Sequence, residues 1–151
     1  IRFDENDARV MGRAAAGVKG VELEEGDEVV GAVRCDDASD LLTVTQHGYG
    51  KRTPLLEYLV HSEDGSTRAQ SRGSKGRIDI KTTERNGRVV AIHSVRPSDD
   101  LMFISRGGMI VRVSAGEISQ IGRNTQGVRV IKLRDDDALI AAAKVVAESD
   151  A

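Results

Sequence analysis

The chain has 151 residues, of which 39% are hydrophobic and 30% charged, with one cysteine and a formal net charge of −2. This excludes a disulfide framework, a multi-cysteine zinc site and a disordered, low-hydrophobicity tract. No run approaches the roughly 20 apolar residues of a membrane helix, and the opening Ile1–Glu5 has neither the apolar core nor the cleavage site of a signal peptide, so a soluble protein of the reducing cytoplasm is expected. Aromatic residues total 3%, with no Trp, which argues against a stacking platform for single-stranded nucleic acid. The chain opens without Met and in mid-pattern, as a piece of a longer protein would.

The near-neutral total hides a segregation. Residues 1–45 sum to −6, residues 46–96 to +5, residues 97–134 to +3 and the remainder to −4. Seven basic residues lie between Arg68 and Arg88, against Asp79 and Glu84. Acidic ends around a basic middle can present a basic face despite the average.

In chain order, the apolar pattern has a period of two rather than 3.6. Short β-rich segments are expected at Leu42–Thr45, Arg77–Lys81, Val89–Ile92, Leu101–Ile104, Ile110–Val113 and Val128–Leu133. In the segment Arg77–Lys81, Ile78 and Ile80 are placed on one face. Asn86-Gly87 predicts a tight hairpin, because a primed turn needs positive φ; Asp64-Gly65 and Gly107-Gly108 are weaker signals of the same kind. The Ala-rich run Asp137–Val146 is read as a strand, on the strength of the repeat.

The chain repeats itself. Asp40–Thr45 aligns with Asp100–Ser105 at an offset of 60, carrying Gly48 onto Gly108 and Glu57 onto Glu117. A second register aligns Gly12-Arg13 with Gly122-Arg123, Gly17-Val18 with Gly127-Val128, and Val29-Val30 with Leu139-Ile140. The units expected are the end of one blade (1–35), a full blade (36–96), a second full blade (97–147) and a tail (148–151). Units of this size, built from short antiparallel strands, point to an all-β, propeller-like architecture.

No catalytic constellation is visible. His47, His61, His93 and Cys35 lack metal-ligand spacing, and Cys35 is expected to be a small apolar residue in a strand. Asp135–Asp137 reads as a solvated turn. There is no phosphate-binding lysine loop or dinucleotide fingerprint, and Tyr49 and Tyr58 lack an adjacent acidic metal cluster, so packing is their expected role. No catalytic or metal-binding residue is therefore assigned.

The most informative segment is Gln70-Ser71-Arg72-Gly73-Ser74-Lys75-Gly76, followed by Arg77. Glycines beside cations let the backbone approach a phosphate and offer N–H donors. One such loop is common among solvated turns; recurrence gives it weight. Gly12-Arg13 and Gly122-Arg123 put a basic glycine loop in corresponding parts of other units, and Gly48-Tyr49-Gly50-Lys51-Arg52 adds two cations at a hairpin tip. The residues expected to contact phosphate are Lys51, Arg52, Gln70, Arg72, Gly73, Lys75, Gly76 and Arg77, with Arg123 and Arg13.

Four stretches carry a family resemblance: Val10–Arg13 with Gly17–Gly20, Gln46–Thr53, Ile78–Gly87, and Glu117–Ser119 with Ile121–Val128. The chain resembles the C-terminal domain of DNA gyrase A. The resemblance implies a β-pinwheel whose blades exchange strands, of which this chain holds the last two and the end of one before. It implies sequence-independent wrapping of double-stranded DNA, in partnership with the rest of gyrase A and with gyrase B, near the nucleoid. The wrap would direct strand passage toward negative supercoils. ATP and Mg would act elsewhere in the holoenzyme, so no cofactor is expected here. The family's signature box is degenerate: Ser71 and Ser74 replace a basic residue and a glycine. Leu59–Arg68 looks like an insertion relative to the family pattern. The related C-terminal domain of topoisomerase IV is the alternative within this class, and a propeller-type protein-interaction scaffold the alternative outside it.

Overall fold

The computed structural model describes residues 1–145; its regular structure is short β-strands with three single-turn 3-10 helices, and residues 1–39 hold no strand. β1 (Asp40–Thr45) and β2 (Tyr49–Pro54) form a hairpin, β3 (Val60–His61) and β4 (Thr67–Arg68) a small ribbon, and β5 (Val89–Val95) returns along β1. The second unit repeats the scheme: β6 (Asp100–Ser105) and β7 (Ile110–Ser114) form a hairpin, and β9 (Leu139–Val145) returns along β6. Between them, β8 (Val128–Arg129) leaves its own unit and pairs antiparallel with β2, so the first sheet runs β5-β1-β2-β8 and the second β7-β6-β9. No helix among the described residues is long and apolar enough to cross a membrane.

The repeat extends to the hydrogen-bond register. Asp40 faces Pro54 and Asp100 faces Ser114, and the pairing slips between Val44 and Thr45 on one sheet and between Ile104 and Ser105 on the other. The offset of 60 predicts both coincidences. Gly48 and Gly108 turn the two hairpins at φ of 79° and 82°, a region that L side chains enter only at a cost. The Ala-rich run is indeed a strand to Val145; Val146 and the tail 148–151 lie outside the described residues.

The core fills the space between the sheets. Leu42, Val44 and Val95 meet Leu101, Phe103 and Leu139, with Ala115, Ile118 and Ile131 completing the cluster. Each large side chain removed from water there contributes about 1.5–3 kcal/mol. The opposite face of the first sheet carries Leu41, Leu55 and Tyr58, against which Val33 of the N-terminal segment packs. β1 is thus buried on both faces, whereas β6 alternates in the half-covered manner of a one-sided strand.

Four sequence expectations are corrected. The strand expected at Val128–Leu133 is confined to Val128–Arg129. Residues 77–81 are not a strand: only Ile80 bridges, to Thr125, and it is buried while Ile78 is 63% exposed, so the two do not share a face. Asn86-Gly87 closes a wider turn, with Gly87 N–H donating to Thr83 O, rather than a two-residue hairpin. Cys35 is exposed and lies outside any strand.

Candidate nucleic-acid interface

The segment 118–131 of the second unit seats itself along the free edge of β2. It enters at Arg52, whose N–H donates to Ser119 O (3.0 Å) and whose O accepts from Ile121 N–H (2.8 Å). It leaves at the register pairs Gly50↔Val128 and Tyr49↔Arg129. Between these points the chain loops out beside residues 79–81, with Lys81 N–H donating to Thr125 O (2.8 Å). The β2 edge explains why Gly-Tyr-Gly-Lys-Arg-Thr stands where it does. A Cβ on Gly48 would fall 2.5 Å from Ile131 O, and one on Gly127 would fall 2.8 Å from Gly50 O, so backbone meets backbone at both places.

This arrangement removes two of the expected phosphate contacts. Lys51 is completely buried: its ammonium donates to Asp79 O (2.7 Å) and Gly122 O (2.8 Å) and pairs with the Asp79 carboxylate at 3.2 Å. Arg52 pairs with Asp40 at 2.6 Å and donates from Nε to Ile118 O (2.9 Å), with both side chains under a tenth exposed. Both cations pin the loop of the next unit rather than face outward. Thr53 Oγ1, donating to Ile121 O (2.7 Å), completes the clasp.

The Gln70–Gly76 box also turns inward. Gln70 exchanges hydrogen bonds with Arg2, its N–H to Arg2 O (2.9 Å) and its Oε1 from Arg2 N–H (3.3 Å). Arg72 donates to Asp7 O (2.9 Å) and to Lys19 O. The Gly73 N–H, expected as a phosphate donor, is used on Gly20 O (2.9 Å), and a Cβ on Gly76 would strike Ile1. The box therefore fastens the N-terminal segment. Lys75 is its outward cation, exposed and 3.3 Å from an equally exposed Glu24. Arg77 is half-buried, Arg13 is exposed, and Arg123 donates from Nη1 to Ile78 O (3.3 Å) while its backbone N–H donates to Glu57 (3.2 Å).

The structure instead brings two turns together across the unit boundary. Residues 76–88 carry Arg77, Lys81, Arg85 and Arg88; residues 122–132 carry Arg123, Arg129 and Lys132. Of the two carboxylates in these turns, Asp79 is consumed by Lys51, Thr43 Oγ1 (2.6 Å) and Tyr58 Oη (2.5 Å). Glu84 is left on the surface. Asn86, fully buried, welds the turns: its Nδ2 donates to Lys81 O (2.8 Å) and across to Gln126 O (3.0 Å). Tyr49 lies where they meet. Its hydroxyl accepts from Arg85 Nε (3.2 Å) and Arg129 Nη2 (3.0 Å), and both guanidinium carbons lie within 5.4 Å of its ring centroid. Those two hydrogen bonds, Arg85's first, hold the phenol below its ordinary pKa, whereas burial and then Asp79 push Tyr58 far above it.

A family model described as DNA gyrase C-terminal domain, beta-propeller, matches residues 1–36, 39–62, 68–96 and 99–145. The chain belongs to this family. It is 45% identical over 152 residues to DNA gyrase A of Staphylococcus aureus (strain MRSA252), covering 99% of this chain and 16% of that protein. It is 48% identical over 141 residues to the DNA gyrase A of Haloquadratum walsbyi, covering 92% and 15%. Among solved structures, a DNA gyrase A C-terminal domain superimposes with a TM-score of 0.81 at 29% identity, over 95% of this chain and 46% of that one. The C-terminal domain of DNA topoisomerase IV superimposes with a TM-score of 0.83 at 26% identity, over 97% and 43%. The chain thus spans about a sixth of the length of its curated gyrase relatives.

The gyrase-family match breaks at 63–67, inside the run Leu59–Arg68 that the sequence marks as an insertion; the gap falls on the turn between β3 and β4 and the first residue of β4. Sequence reasoning missed Lys81, Arg85 and Arg88, and with them Arg129 and Lys132, as surface cations. For the first three the signal was present in the high basic density from Arg68 to Arg88, but the glycine-flanked members of that run masked the others.

Proposed function

We propose that this chain is a DNA-binding and DNA-wrapping module of a gyrase-type topoisomerase, working with the rest of gyrase A and with gyrase B in the cytoplasm. The observation that carries the reading is the joined surface of residues 76–88 and 122–132, where seven cations meet one outward carboxylate. The same reading divides the chain into the end of one blade (1–35), two blades (36–96 and 97–147) and a tail (148–151).

Duplex DNA resists bending: its persistence length is about 50 nm, and curving a short site costs on the order of 1–6 kcal/mol. Cations set on successive units offset that cost through phosphate contacts and counterion release. Arg13, Lys75, Arg77 and Arg123 extend the path beyond Arg85 and Arg129. Lys51 and Arg52 act indirectly, by fixing one unit's turn on the next so that the path has a constant curvature. Wrapping of one hand presents a segment of the same DNA for strand passage and gives ATP-driven turnover its direction.

The test is topological. Relaxed circular DNA is incubated with the chain and a nicking-closing enzyme, then deproteinised. A shift in linking number that grows with protein concentration supports wrapping. Binding without any shift counts against it and favours the topoisomerase IV type of domain, to which the backbone is equally close. Affinity that ignores salt points to a protein-interaction scaffold.

A further inference from the structure

Resting on that reading, we propose that Arg85 and Arg129 form a two-part clamp for a single backbone phosphate of duplex DNA, assembled only where one unit docks on the next and oriented by the hydroxyl of Tyr49.

The first support is the convergence of like charges. Two guanidiniums donate to one phenol oxygen, at 3.2 and 3.0 Å, and their carbons stand 5.0 and 5.4 Å from the same ring. A neutral hydroxyl and a ring face offset such repulsion only in part. Among the described residues neither arginine has a carboxylate within 4 Å, whereas Arg2, Lys51, Arg52, Lys75, Arg96, Arg112 and Lys144 all do. A guanidinium has five N–H donors in a planar fork that matches phosphate oxygens. One donor from each is spent on Tyr49, and among the described residues the other N–H groups of both guanidiniums meet no protein acceptor, on two residues that are exposed.

The second support is preorganisation. Arg85 sits in the turn that buried Asn86 locks, with Thr83 N–H donating to Asn86 Oδ1 at 2.7 Å. Arg129 is fixed by its register pairing with Tyr49 on β2. Tyr49 is 5% exposed, so its ring is a rigid post. Because Arg85 belongs to the first full unit and Arg129 to the second, the clamp exists only in the docked state. An anion that binds it must, by linkage, tighten the docking to the same degree. DNA occupancy and curvature are therefore coupled at this junction.

The experiment uses the full chain, with short duplex DNA and with inorganic phosphate as separate probes. Duplex affinity is measured against salt for the wild type, for Arg85→Gln with Arg129→Gln, for Tyr49→Phe, and for Arg106→Gln on the β6–β7 turn as a control. The double variant is expected to lose about tenfold in affinity, with its logarithmic salt slope reduced by about 0.9, the value for one phosphate. Tyr49→Phe is expected to weaken binding about threefold with the slope kept, and Arg106→Gln to leave both near wild type. In the second arm, inorganic phosphate should shift the side-chain N–H resonances of Arg85 and Arg129 in the wild type, a result independent of whether the variants fold. Wild-type slope and affinity in a folded double variant would overturn the clamp. Absence of a phosphate shift at both arginines would overturn it as well. A phosphate shift without any duplex binding would keep the anion site and refute the DNA reading on which its ligand rests.

Discussion

The ammonium of Lys51 is shielded from solvent and tied to Asp79 twice, at 2.7 Å to the backbone carbonyl and 3.2 Å to the carboxylate. A third bond, to Gly122 O at 2.8 Å, makes this one side chain the meeting point of β2, the stretch before Ile80 and the loop of the following unit. Burying an ammonium costs several kcal/mol unless its hydrogens are met; here three acceptors meet them. The Asp79 carboxylate is satisfied in turn by Thr43 and Tyr58. Lys51→Met removes the charge at similar volume and leaves Asp79 without its cation, so a loss of about 3–5 kcal/mol is expected. Urea unfolding measures it. If Lys51 instead contacted phosphate, the variant would keep its stability and lose salt-dependent DNA affinity.

The repeat supplies its own control for buried against exposed ion pairs. Arg52–Asp40 and Arg112–Asp100 stand at equivalent places, 60 residues apart, with the same partners. The first pair is 8% and 9% exposed, because Ile118–Ile121 covers it and Gln120 Nε2 also donates to Asp40 at 2.9 Å. The second is 64% and 31% exposed on β7, whose outer edge has no strand against it among the described residues. Arg52→Ala is expected to cost about 3–5 kcal/mol and Arg112→Ala under about 1 kcal/mol. Equal costs in denaturant titrations would show that the covering segment contributes nothing.

These pairs also show what the sequence could reveal. The offset of 60 carries the hairpins and the positive-φ glycines Gly48 and Gly108, because each is specified within about a dozen neighbouring residues. The assignment of Lys51 and Arg52 to the surface failed for the opposite reason. A cation beside glycine in a hairpin looks the same whether solvent or another unit faces it, and the residues that bury this pair lie some 70 positions further on. Ile78 and Ile80 alternate with charged residues as a strand does, yet Ile80 alone bridges and is buried while Ile78 faces solvent, so the period of two did not carry into the structure. Family resemblance supplied the architecture; it did not show that the degenerate box faces Arg2, Asp7 and Lys19.

Two glycines with nearly the same φ should respond differently to alanine. Gly127 (φ 73°) lies where a Cβ would come within 2.8 Å of Gly50 O, whereas Gly108 (φ 82°) opens onto empty space. Gly108→Ala incurs the left-handed strain alone, about 1–2 kcal/mol. Gly127→Ala adds a backbone clash that separates β8 from β2, for a total of about 3 kcal/mol or more. Because β8 carries Arg129, the Gly127 variant should also lose the hydrogen bond to Tyr49. The Arg129 side-chain N–H resonances then become solvent-like while those of Arg85 persist, and the Gly108 variant keeps both.

The two tyrosines should titrate far apart, and the absence of Trp leaves the phenolate absorbance easy to read. Tyr49 is held below the ordinary phenol value of about 10 by the hydrogen bonds of Arg85 and Arg129. Tyr58 is held well above it by burial and by the adjacent Asp79 carboxylate. The signs differ in their consequence for folding. A depressed Tyr49 favours the phenolate in the native state, so its contribution to stability appears only above the unfolded value and vanishes as pH falls through the folded one. A raised Tyr58 favours the neutral phenol, so its contribution is complete below the unfolded value and is lost as pH rises toward the folded one. Raising the pH should therefore ionise one tyrosine first, below about 10, with the fold intact, and the second only together with loss of β-sheet circular dichroism. Arg85→Gln should move the first step upward and leave the second in place, while Tyr58→Phe should abolish the second absorbance step. Simultaneous ionisation of both phenols in the folded chain would contradict the convergence of Arg85 and Arg129 on Tyr49.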